Sequence, residues 1–275
     1  MDSSLIITTY NWPEALSLTL LSVCGQSVMP GEVIVADDGS GPETARAVRD
    51  ILEPSSLKWC HVRHGDKGIR QARIKNLAVQ HSQAKYLILI DHDVPLHPDF
   101  IADHLSMAEK GIFLQGKRVF LPRYHTEKYL EDKSFSPPSP FSRGLNNRKN
   151  AFRLLKLGKM LSRPKRFQTK LRGCNLSMHK EDFLRVDGYD ETFDQLWGRE
   201  DSDICYRLFH GGLKIKNLWF CALQYHLEHK VIKKTDSDRL DDELIKIRDE
   251  KRTRALKGFS TLSSEGEIIA SSKGR

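Results

Sequence analysis

The stretch Tyr86-Leu87-Ile88-Leu89-Ile90-Asp91-His92-Asp93-Val94 decides the fold. Five apolar or aromatic residues run without interruption and end on two aspartates one residue apart. A short continuous apolar run is typical of a strand that is buried on both faces. Because side chains alternate along an extended chain, Asp91 and Asp93 point to the same side. Two like charges held close together repel, and a divalent cation would relieve that repulsion.

Three strand–helix units precede this stretch. The patterns predict strands over residues 5–10, 32–36 and 58–63, and helices over residues 13–23, 42–52 and 67–80. This alternation predicts an α/β fold with a Rossmann-like, mostly parallel central sheet and helices on both faces. In such sheets ligands bind at the carboxyl ends of the strands. Three of the predicted ends carry polar residues: Thr9-Tyr10-Asn11, Asp37-Asp38 and Asp91-His92-Asp93.

The aspartate pair alone leaves several interpretations open. A solvated strand end with a turn before Pro95 explains the pair without any ligand. In haloacid-dehalogenase-type phosphatases a similar strand ends on a nucleophilic Asp, but normally on the first strand of the domain. In glycosyltransferases with the GT-A fold the pair holds a metal that binds a nucleotide-sugar diphosphate. The rest of the chain has to discriminate between these classes.

Composition limits the class of protein. The 275 residues suffice for one large domain or one domain with an appendage, and the formal net charge of +8 suggests an anionic partner. The five cysteines form no C-x-x-C pair, which favours a reducing compartment. The sequence shows neither a signal-peptide pattern nor an apolar run long enough to span a membrane. We therefore expect a cytoplasmic protein.

Five segments resemble family 2 glycosyltransferases and the acceptor region of galactosyltransferase-type and bacterial chondroitin-polymerase-type enzymes. They are Ile6-Ile7-Thr8-Thr9-Tyr10-Asn11, the strand end at 33–40, the helix at 68–76, Arg172-Gly173-Cys174-Asn175 with the residues to 178, and Trp197-Gly198-Arg199-Glu200-Asp201 with the residues to 203. Together with Asp91-His92-Asp93 they extend in order over residues 5–229. The resemblance implies a GT-A fold, a nucleotide-sugar donor that is usually UDP-linked, and a divalent metal, Mn2+ or Mg2+.

The same resemblance implies roles for residues of the first half. Thr8 and Tyr10 match positions that pack around the nucleoside. Either Asp37 or Asp38 would accept a hydrogen bond from the uracil imide, and the other would fix the turn. Arg73 matches a basic residue near the base or the diphosphate, although a solvated helix face explains it almost as well.

The metal assignment also follows from the resemblance. The first aspartate, Asp91, would contact the ribose, and the last, Asp93, would bind the metal. His226 occupies the place where related enzymes put a metal-binding histidine, with His229 as the substitute. His92 fills the variable middle position and is expected to face away from the site.

The second half contains a candidate catalytic base. Sugar transfer needs a base that takes the proton from the acceptor hydroxyl. Gly198 permits a tight turn that delivers Glu200 and Asp201 to a helix start, where the helix dipole favours ionised carboxylates. An ordinary acidic first turn would explain the two acidic residues alone. By resemblance Asp201 is the base, Glu200 orders the site or touches the acceptor, and Trp197 offers a flat face to an acceptor sugar.

A basic segment separates the two halves. Residues 143–172 contain eleven Lys or Arg and no Asp or Glu. If the segment is helical, apolar and basic residues lie largely on opposite faces, which is typical of helices that rest on an anionic membrane surface. A helix packed on the core with a solvated basic face is an equal alternative, and a lid over the donor is a third.

These observations give a domain plan and a function. We expect a single catalytic domain over residues 1–230, comprising a nucleotide-sugar-binding half (1–120), a basic insertion (131–170) and an acceptor half (171–230). A charged helix and a flexible tail follow over residues 231–275. The predicted function is a metal-dependent inverting glycosyltransferase acting on a glycan or lipid-linked acceptor in bacterial polysaccharide or lipopolysaccharide synthesis. Peripheral association with the inner face of the cytoplasmic membrane is part of this expectation.

Other classes fit the sequence less well. The alternatives are a haloacid-dehalogenase-type phosphatase and a basic nucleic-acid- or membrane-binding protein without catalysis. The basic segment lacks the interleaved aromatic residues that stack on bases, which makes a nucleic-acid partner unlikely. A dinucleotide-binding G-x-G-x-x-G is missing after the first strand.

Overall fold

The computed structural model describes residues 1–195, 198–230, 237–263 and 266–272, with the backbone alone at 237–240. Its strands are β1 Ser3–Thr9, β2 Glu32–Asp37, β3 Trp59–Arg63, β4 Tyr86–Asp91, β5 Ile112–Gln115, β6 Arg118–Phe120, β7 Asn175–His179, β8 Lys214–Asn217, β9 Gln224–His226 and β10 Glu267–Ser271. Its helices are α1 Pro13–Cys24, α2 Pro42–Leu52, α3 Gln71–His81, α4 Phe100–Met107, α5 Arg123–Asp132, α6 Leu155–Leu161, α7 Lys180–Arg185, α8 Glu200–His210 and α9 Ser237–Asp249.

The main sheet has the strand order β10-β3-β2-β1-β4-β7-β5-β8. The pairs β1–β2, β1–β4, β2–β3 and β5–β8 are parallel, whereas β7 runs antiparallel to both β4 and β5. The predicted α/β fold with a mostly parallel central sheet is confirmed. The carboxyl ends of β1, β2, β4, β5 and β8 therefore lie at one rim together with the start of β7.

The sheet is buried on both faces because its strands alternate between two apolar layers. Leu5 and Ile7 of β1 pack with α1, α2 and α4, while Ile6 packs with α3, α7 and α8 on the other face. All three side chains are fully buried. Burial of each such aliphatic side chain contributes about 1.5–3 kcal/mol to folding. This two-sided burial explains why these strands read as continuous apolar runs.

A second, two-stranded parallel sheet, β6–β9, lies beside the rim. Tyr225 and Leu227 point into a small core that also contains Leu18 of α1. Because side chains alternate along a strand, His226 points the opposite way. Backbone hydrogen bonds from Leu227 to the Asp93 carbonyl (3.0 Å) and from Tyr225 to the Pro95 carbonyl (2.9 Å) fix this segment against the end of β4.

The observed bounds agree with the predicted ones for most of the first half, and α3 is the main exception. It begins at Gln71, four residues later than predicted. Gly68 has a left-handed backbone, with φ of +80°, which a helix cannot include. The N–H of Ala72 donates to Asp194 Oδ1 at 2.9 Å, so a distant carboxylate caps the helix start.

The basic segment differs from a long amphipathic helix. It contains a 3-10 turn, Arg148–Ala151, and the seven-residue helix α6. Gly158 packs closely enough that a Cβ there would lie 2.3 Å from the Trp219 carbonyl oxygen. Leu154 and Leu161, two of the segment's apolar residues, are half exposed. The segment therefore packs closely against the rest of the protein at Gly158, while its leucines stay partly exposed. Pro164 follows three residues after the end of α6.

The expectation of a flexible C-terminal tail is wrong for residues 267–271. This segment forms β10, antiparallel to the edge strand β3 with a register shift between Ile268 and Ala270. Ser272 N–H donates to the Trp59 carbonyl at 3.0 Å. Pairing with β10 covers the free backbone edge of β3, and Ala270 packs against the core, a tertiary effect that the polar surroundings of the segment concealed. Residues 231–236, where the expected charged C-terminal region begins, and residues 264–265 and 273–275 of the expected tail lie outside the described residues.

Two further findings concern the cysteines and membrane spans. All five cysteines are unpaired, and four of them are buried. Among the described helices none has the length and apolarity that crossing a bilayer requires.

Candidate active site

Three potential metal ligands meet at the end of β4. The Oδ2 atom of Asp93 lies 3.3 Å from Nε2 of His226 and 3.0 Å from Nε2 of His229. One ligand atom from each residue falls within 4.8 Å of the other two. Sequence reasoning proposed the two histidines as alternatives, but the structure brings both to Asp93.

The chemistry of this cluster fits a divalent cation. Asp93 Oδ1 is buried without a hydrogen-bond partner, so one carboxylate oxygen is left for a ligand. Burial would raise the pKa of Asp93, but the hydrogen bond from His229 and the positive charge that His226 and His92 carry when protonated outweigh burial and lower the pKa to about 2. Burial lowers the pKa of His226, which keeps its imidazole neutral and able to bind a metal. A cavity of about 410 Å³ adjoins both histidines.

Asp91 and Arg118 stand beside the cluster. Burial and the charge of Asp93 raise the pKa of Asp91 to about 7, against the opposing charges of Lys75 and Arg118. The guanidinium of Arg118 lies 4.9 Å from the centre of the Phe120 ring. The site therefore combines closely spaced carboxylates with a nearby permanent cation.

The two aspartates that follow β2 have different partners. Asp37 is fully buried, accepts hydrogen bonds from the N–H groups of Gly39 (3.2 Å) and Ser40 (2.7 Å), and lies 2.8 Å from His61 Nε2. Burial would raise the pKa of Asp37, but these hydrogen bonds lower it. Asp37 therefore holds the turn in place.

Asp38 points toward the loop before α3. Its Oδ1 lies 2.6 Å from His64 Nε2, and its Oδ2 accepts the N–H of Arg70 at 3.0 Å. At the neighbouring strand end, Thr8 is buried and pairs in register with Asp91. Tyr10 is half exposed, and its hydroxyl donates to Asp66 at 3.2 Å. The rim thus presents the half-exposed ring of Tyr10 beside the buried carboxylate of Asp38.

His92 and Arg73 turn away from this rim. His92 Nδ1 lies 3.2 Å from the Thr8 carbonyl oxygen. Arg73 is buried, lies 3.5 Å from Glu191, and donates to Ser263 Oγ at 2.9 Å. The donor role predicted for Arg73 gains no support from these contacts, because they direct its guanidinium toward a 3-10 turn and the C-terminal segment.

The acceptor half presents the predicted carboxylates at the start of α8. Gly198 has φ of +103° and Arg199 has φ of +80°, so a left-handed turn leads directly into Glu200. Glu200 is buried, whereas a quarter of the Asp201 side chain is exposed. Asp201 is therefore the more accessible of the two carboxylates. Trp197 lies outside the described residues.

Lys75 joins the two halves of the site. Its ammonium lies 3.0 Å from Glu200 Oε1 and 3.0 Å from Asp201 Oδ1, and 4.8 Å from the centre of the Tyr189 ring. Burial would lower the pKa of Lys75, but the charges of Asp201 and Glu200 outweigh burial and hold it well above its ordinary value. The lysine stays charged and compensates two carboxylates at once.

Lys75 and Gly173 hold the Asp201 carboxylate from two sides and form what we call the cradle of Asp201. The Gly173 N–H donates to Asp201 Oδ2 at 3.0 Å. A Cβ on Gly173 would lie 1.9 Å from Asp201 Oδ1, so only glycine leaves room for the carboxylate.

Sequence reasoning did not single out Lys75, Arg118 or Gly173 for these contacts. Lys75 lies two residues after Arg73 in the same helical motif. Its place in that motif is the only feature of the sequence that could have indicated a role for Lys75. Arg118 is the first residue of the short strand β6, which carries no recognisable motif.

Comparison with known proteins identifies the class. A family model described as glycosyl transferase family 2 matches residues 4–157, more than half of the chain, and the chain belongs to that family. A second model, described as the N-terminal domain of galactosyltransferase, matches residues 155–230. The family model is one of glycosyltransferases, and these matches do not favour the phosphatase or the non-catalytic alternatives.

Curated relatives are larger proteins. The chain is 27% identical over 243 residues to chondroitin synthase of Escherichia coli, covering 82% of this chain and 34% of the relative. It is 25% identical over 243 residues to hyaluronan synthase of Pasteurella multocida, covering 82% of this chain and 24% of the relative. It is 30% identical to a validoxylamine A glucosyltransferase of Streptomyces hygroscopicus subsp. limoneus, covering 76% and 48%. The chain thus spans between a quarter and a half of the length of these relatives.

Solved structures share the fold. S. aureus TarS 1-349 in complex with UDP has a TM-score of 0.62 at 15% identity, covering 91% of this chain and 65% of that one. The mannosyltransferase PcManGT from Pyrobaculum calidifontis, in complex with GDP-Man and Mn2+, has a TM-score of 0.57 at 17% identity, covering 83% and 57%. These similarities establish the GT-A fold.

Proposed function

We propose that this protein is a metal-dependent inverting glycosyltransferase that moves a sugar from a UDP-linked donor to a glycan or lipid-linked acceptor. One observation carries the proposal: two groups of side chains lie at the same rim of the sheet. The first is the cluster of Asp93, His226 and His229, and the second is Asp201 with its ion pair to Lys75. Residues 1–230 act as one catalytic domain. The choice of UDP is supported by solved neighbours that hold UDP and UDP-GlcNAc, alongside one that holds GDP-Man.

Asp93, His226 and His229 would hold the divalent cation. One carboxylate and two imidazoles suit Mn2+ better than Mg2+, which prefers oxygen ligands. When bound, the cation stabilises the negative charge of the departing diphosphate. Arg118 is placed to add a second positive charge on the same side.

Donor binding uses the first rim residues. Asp38 accepts the uracil imide N–H, since Asp37 already receives its hydrogen bonds from the turn. Tyr10 and Thr8 pack around the nucleoside, and Asp91 contacts the ribose. Asp38 already lies 2.6 Å from His64 Nε2 and accepts the Arg70 N–H, so the imide N–H would be an additional bond to this carboxylate.

Asp201 is the base. It takes the proton from the acceptor hydroxyl, which attacks the anomeric carbon in one displacement with inversion. Glu200 orders Lys75 and with it Asp201, and the turn at Gly198 presents both carboxylates. The stacking of an acceptor sugar on Trp197 stays a prediction.

The test is release of UDP from a panel of UDP-sugars with glycan acceptors, with wild type compared with Asp201→Asn. We expect the substitution to lower turnover by about 10²–10⁴-fold, the usual contribution of a general base. Donor affinity should stay unchanged. Near-full turnover by Asp201→Asn would remove Asp201 from the base role.

The acceptor pathway and the membrane association belong to the same proposal. Relatives named as chondroitin and hyaluronan synthases support a role in polysaccharide synthesis, and a role in lipopolysaccharide synthesis stays a prediction. Leu154, Met160 and Leu161 are about half exposed among the basic residues of segment 143–172. This combination supports peripheral binding to an anionic membrane. Flotation with anionic vesicles tests it, and a protein that stays unbound at low salt would refute it.

A further inference from the structure

A second cavity lies at the same rim, on the side away from the metal cluster. Its volume is about 400 Å³. It opens between the carboxyl ends of β5 and β8 and the chain segment at 165–172. Its wall includes four basic side chains and two other polar or aromatic ones: Lys117, Lys165, Lys170, Arg172, Asn217 and Trp219.

The charge of this cavity has one sign. No residue in its wall is acidic, and within the described parts of the chain none of its four basic side chains forms an ion pair with a carboxylate. Lys117 donates to Asn217 Oδ1 at 3.3 Å and lies 4.6 Å from the centre of the Trp219 ring. Burial, with the charges of Arg172, Lys165 and Lys149, lowers the pKa of Lys117 to about 8. Cations gathered in this way without an acidic partner provide a site for an anion.

The wall of the cavity continues into the cradle of Asp201. The backbone N–H of Arg172 donates to Gln115 Oε1 at 2.8 Å, which fixes the wall to the end of β5. The next residue, Gly173, donates its N–H to Asp201. An acceptor whose hydroxyl reaches Asp201 would therefore extend over this cavity.

We propose that the cavity binds a carboxylate or phosphate carried by the acceptor glycan next to the reacting hydroxyl, and that the protein prefers acidic acceptors. This inference rests on the proposed function, because that function places the acceptor beside Asp201. Arg172 presents a planar guanidinium that can bind either anion with two parallel hydrogen bonds, and Lys117 adds a point charge deeper in the wall.

The test measures binding in EDTA without donor, so that it does not depend on catalysis. A hexuronate-containing tetrasaccharide is compared with its carboxyl-reduced neutral form, and a polyol-phosphate oligomer with the free polyol. We expect each acidic probe that fits to bind at least about tenfold more tightly than its neutral counterpart, as one charge-assisted hydrogen bond would give. Lys117→Gln and Arg172→Gln should each remove about tenfold of that preference and leave neutral binding unchanged.

Lys156→Gln is the matched control, since Lys156 is exposed in the same basic segment but lies outside the cavity wall. Equal loss in this control would mean general attraction by a basic surface and would overturn the proposal. So would equal affinity for acidic and neutral probes, or no binding of either acidic probe. Binding to anionic vesicles that requires Lys117 and Arg172, without acidic-glycan binding, would assign the cavity to lipid headgroups instead. Failure of UDP release with intact acidic-probe binding would count against the proposed function alone.

Discussion

The ammonium of Lys75 lies 3.0 Å from Oδ1 of Asp201, and it joins helix α3 in the first half of the chain to a carboxylate at the start of α8 in the second half. The lysine is buried and also holds Glu200 at 3.0 Å. The position of Asp201 therefore depends on a residue 126 positions earlier in the chain. Two halves that carry different sequence motifs form one site through this contact.

Removal of that contact should be costly. Lys75→Met keeps the length of the side chain but leaves two carboxylates without their shared cation. We expect the free energy of unfolding to fall by about 3–5 kcal/mol, the usual cost of breaking a buried pair. Urea denaturation measures it, with the exposed Lys85→Met as the control. A change no larger than that of the control would mean that Lys75 does not compensate the carboxylates.

Gly173→Ala tests the cradle of Asp201 without changing a charge. The added Cβ would lie 1.9 Å from Asp201 Oδ1, so the carboxylate has to move away from the Gly173 N–H. Displacement of a catalytic group by about 1 Å can cost roughly 10²-fold in rate, and we expect a loss of that order. UDP release measures the rate. Gly65→Ala is the matched control, since a Cβ there meets no atom within 4 Å, and equal rates for the two variants would contradict this account.

Removal of Arg73 separates a structural role from a donor role. Its guanidinium contacts Glu191 and Ser263, and Arg73→Met would leave these groups without that partner. We therefore expect the free energy of unfolding to fall by about 1–3 kcal/mol. The affinity for UDP should not change. Unchanged stability together with weaker UDP binding would restore the donor role that the sequence motif implies.

The pair formed by His229 and Asp93 predicts a stability that depends on pH. The hydrogen bond to Asp93 raises the pKa of His229 above its ordinary value near 6.5. The stability that protonated His229 contributes is therefore complete below about pH 6.5 and is lost as the pH rises through its folded pKa. The lowered pKa of Asp93 adds a contribution that is lost only as the pH falls through about 2.

Without metal, the melting temperature of wild type should fall relative to His229→Gln as the pH rises above about 6.5, by the linkage just described. Mn2+ competes with the proton for the imidazole, so stabilisation by Mn2+ should increase over the same range. Differential scanning calorimetry with Mn2+ or with EDTA measures both effects. Stabilisation by Mn2+ that is independent of pH and unaffected by His229→Gln would remove His229 from the ligand set.

The parts of the fold and site that could be predicted are those encoded locally. Continuous apolar strands such as β4, and the turn at Gly198, identify where Asp93, Glu200 and Asp201 stand on the rim. Each of these predictions depends on a few neighbouring residues and one strand or helix period. The metal-binding role of His226 comes instead from the resemblance to the family.

What could not be predicted depends on contacts between distant segments. The partners of Arg73 and the contact of Lys75 with α8 both depend on how α3 packs against the second half of the chain. No pattern within α3 itself indicates that packing. Likewise β10 forms because the edge of β3 is available, and its own sequence is too short and too flanked by polar residues to predict a strand. Arg118 reaches the rim through the pairing of β6 with β9, which no local pattern indicates.

The most direct test of the central claim, a metal-dependent donor site at Asp93, is calorimetric titration of UDP in the presence of Mn2+ and of EDTA. We compare wild type, Asp93→Asn, and the exposed control Asp50→Asn. The account predicts that wild type and the control bind UDP only with Mn2+, and that Asp93→Asn weakens this binding by at least about tenfold, as expected for damage to a metal site. Equal UDP binding with Mn2+ and with EDTA, or undiminished binding by Asp93→Asn, would contradict it.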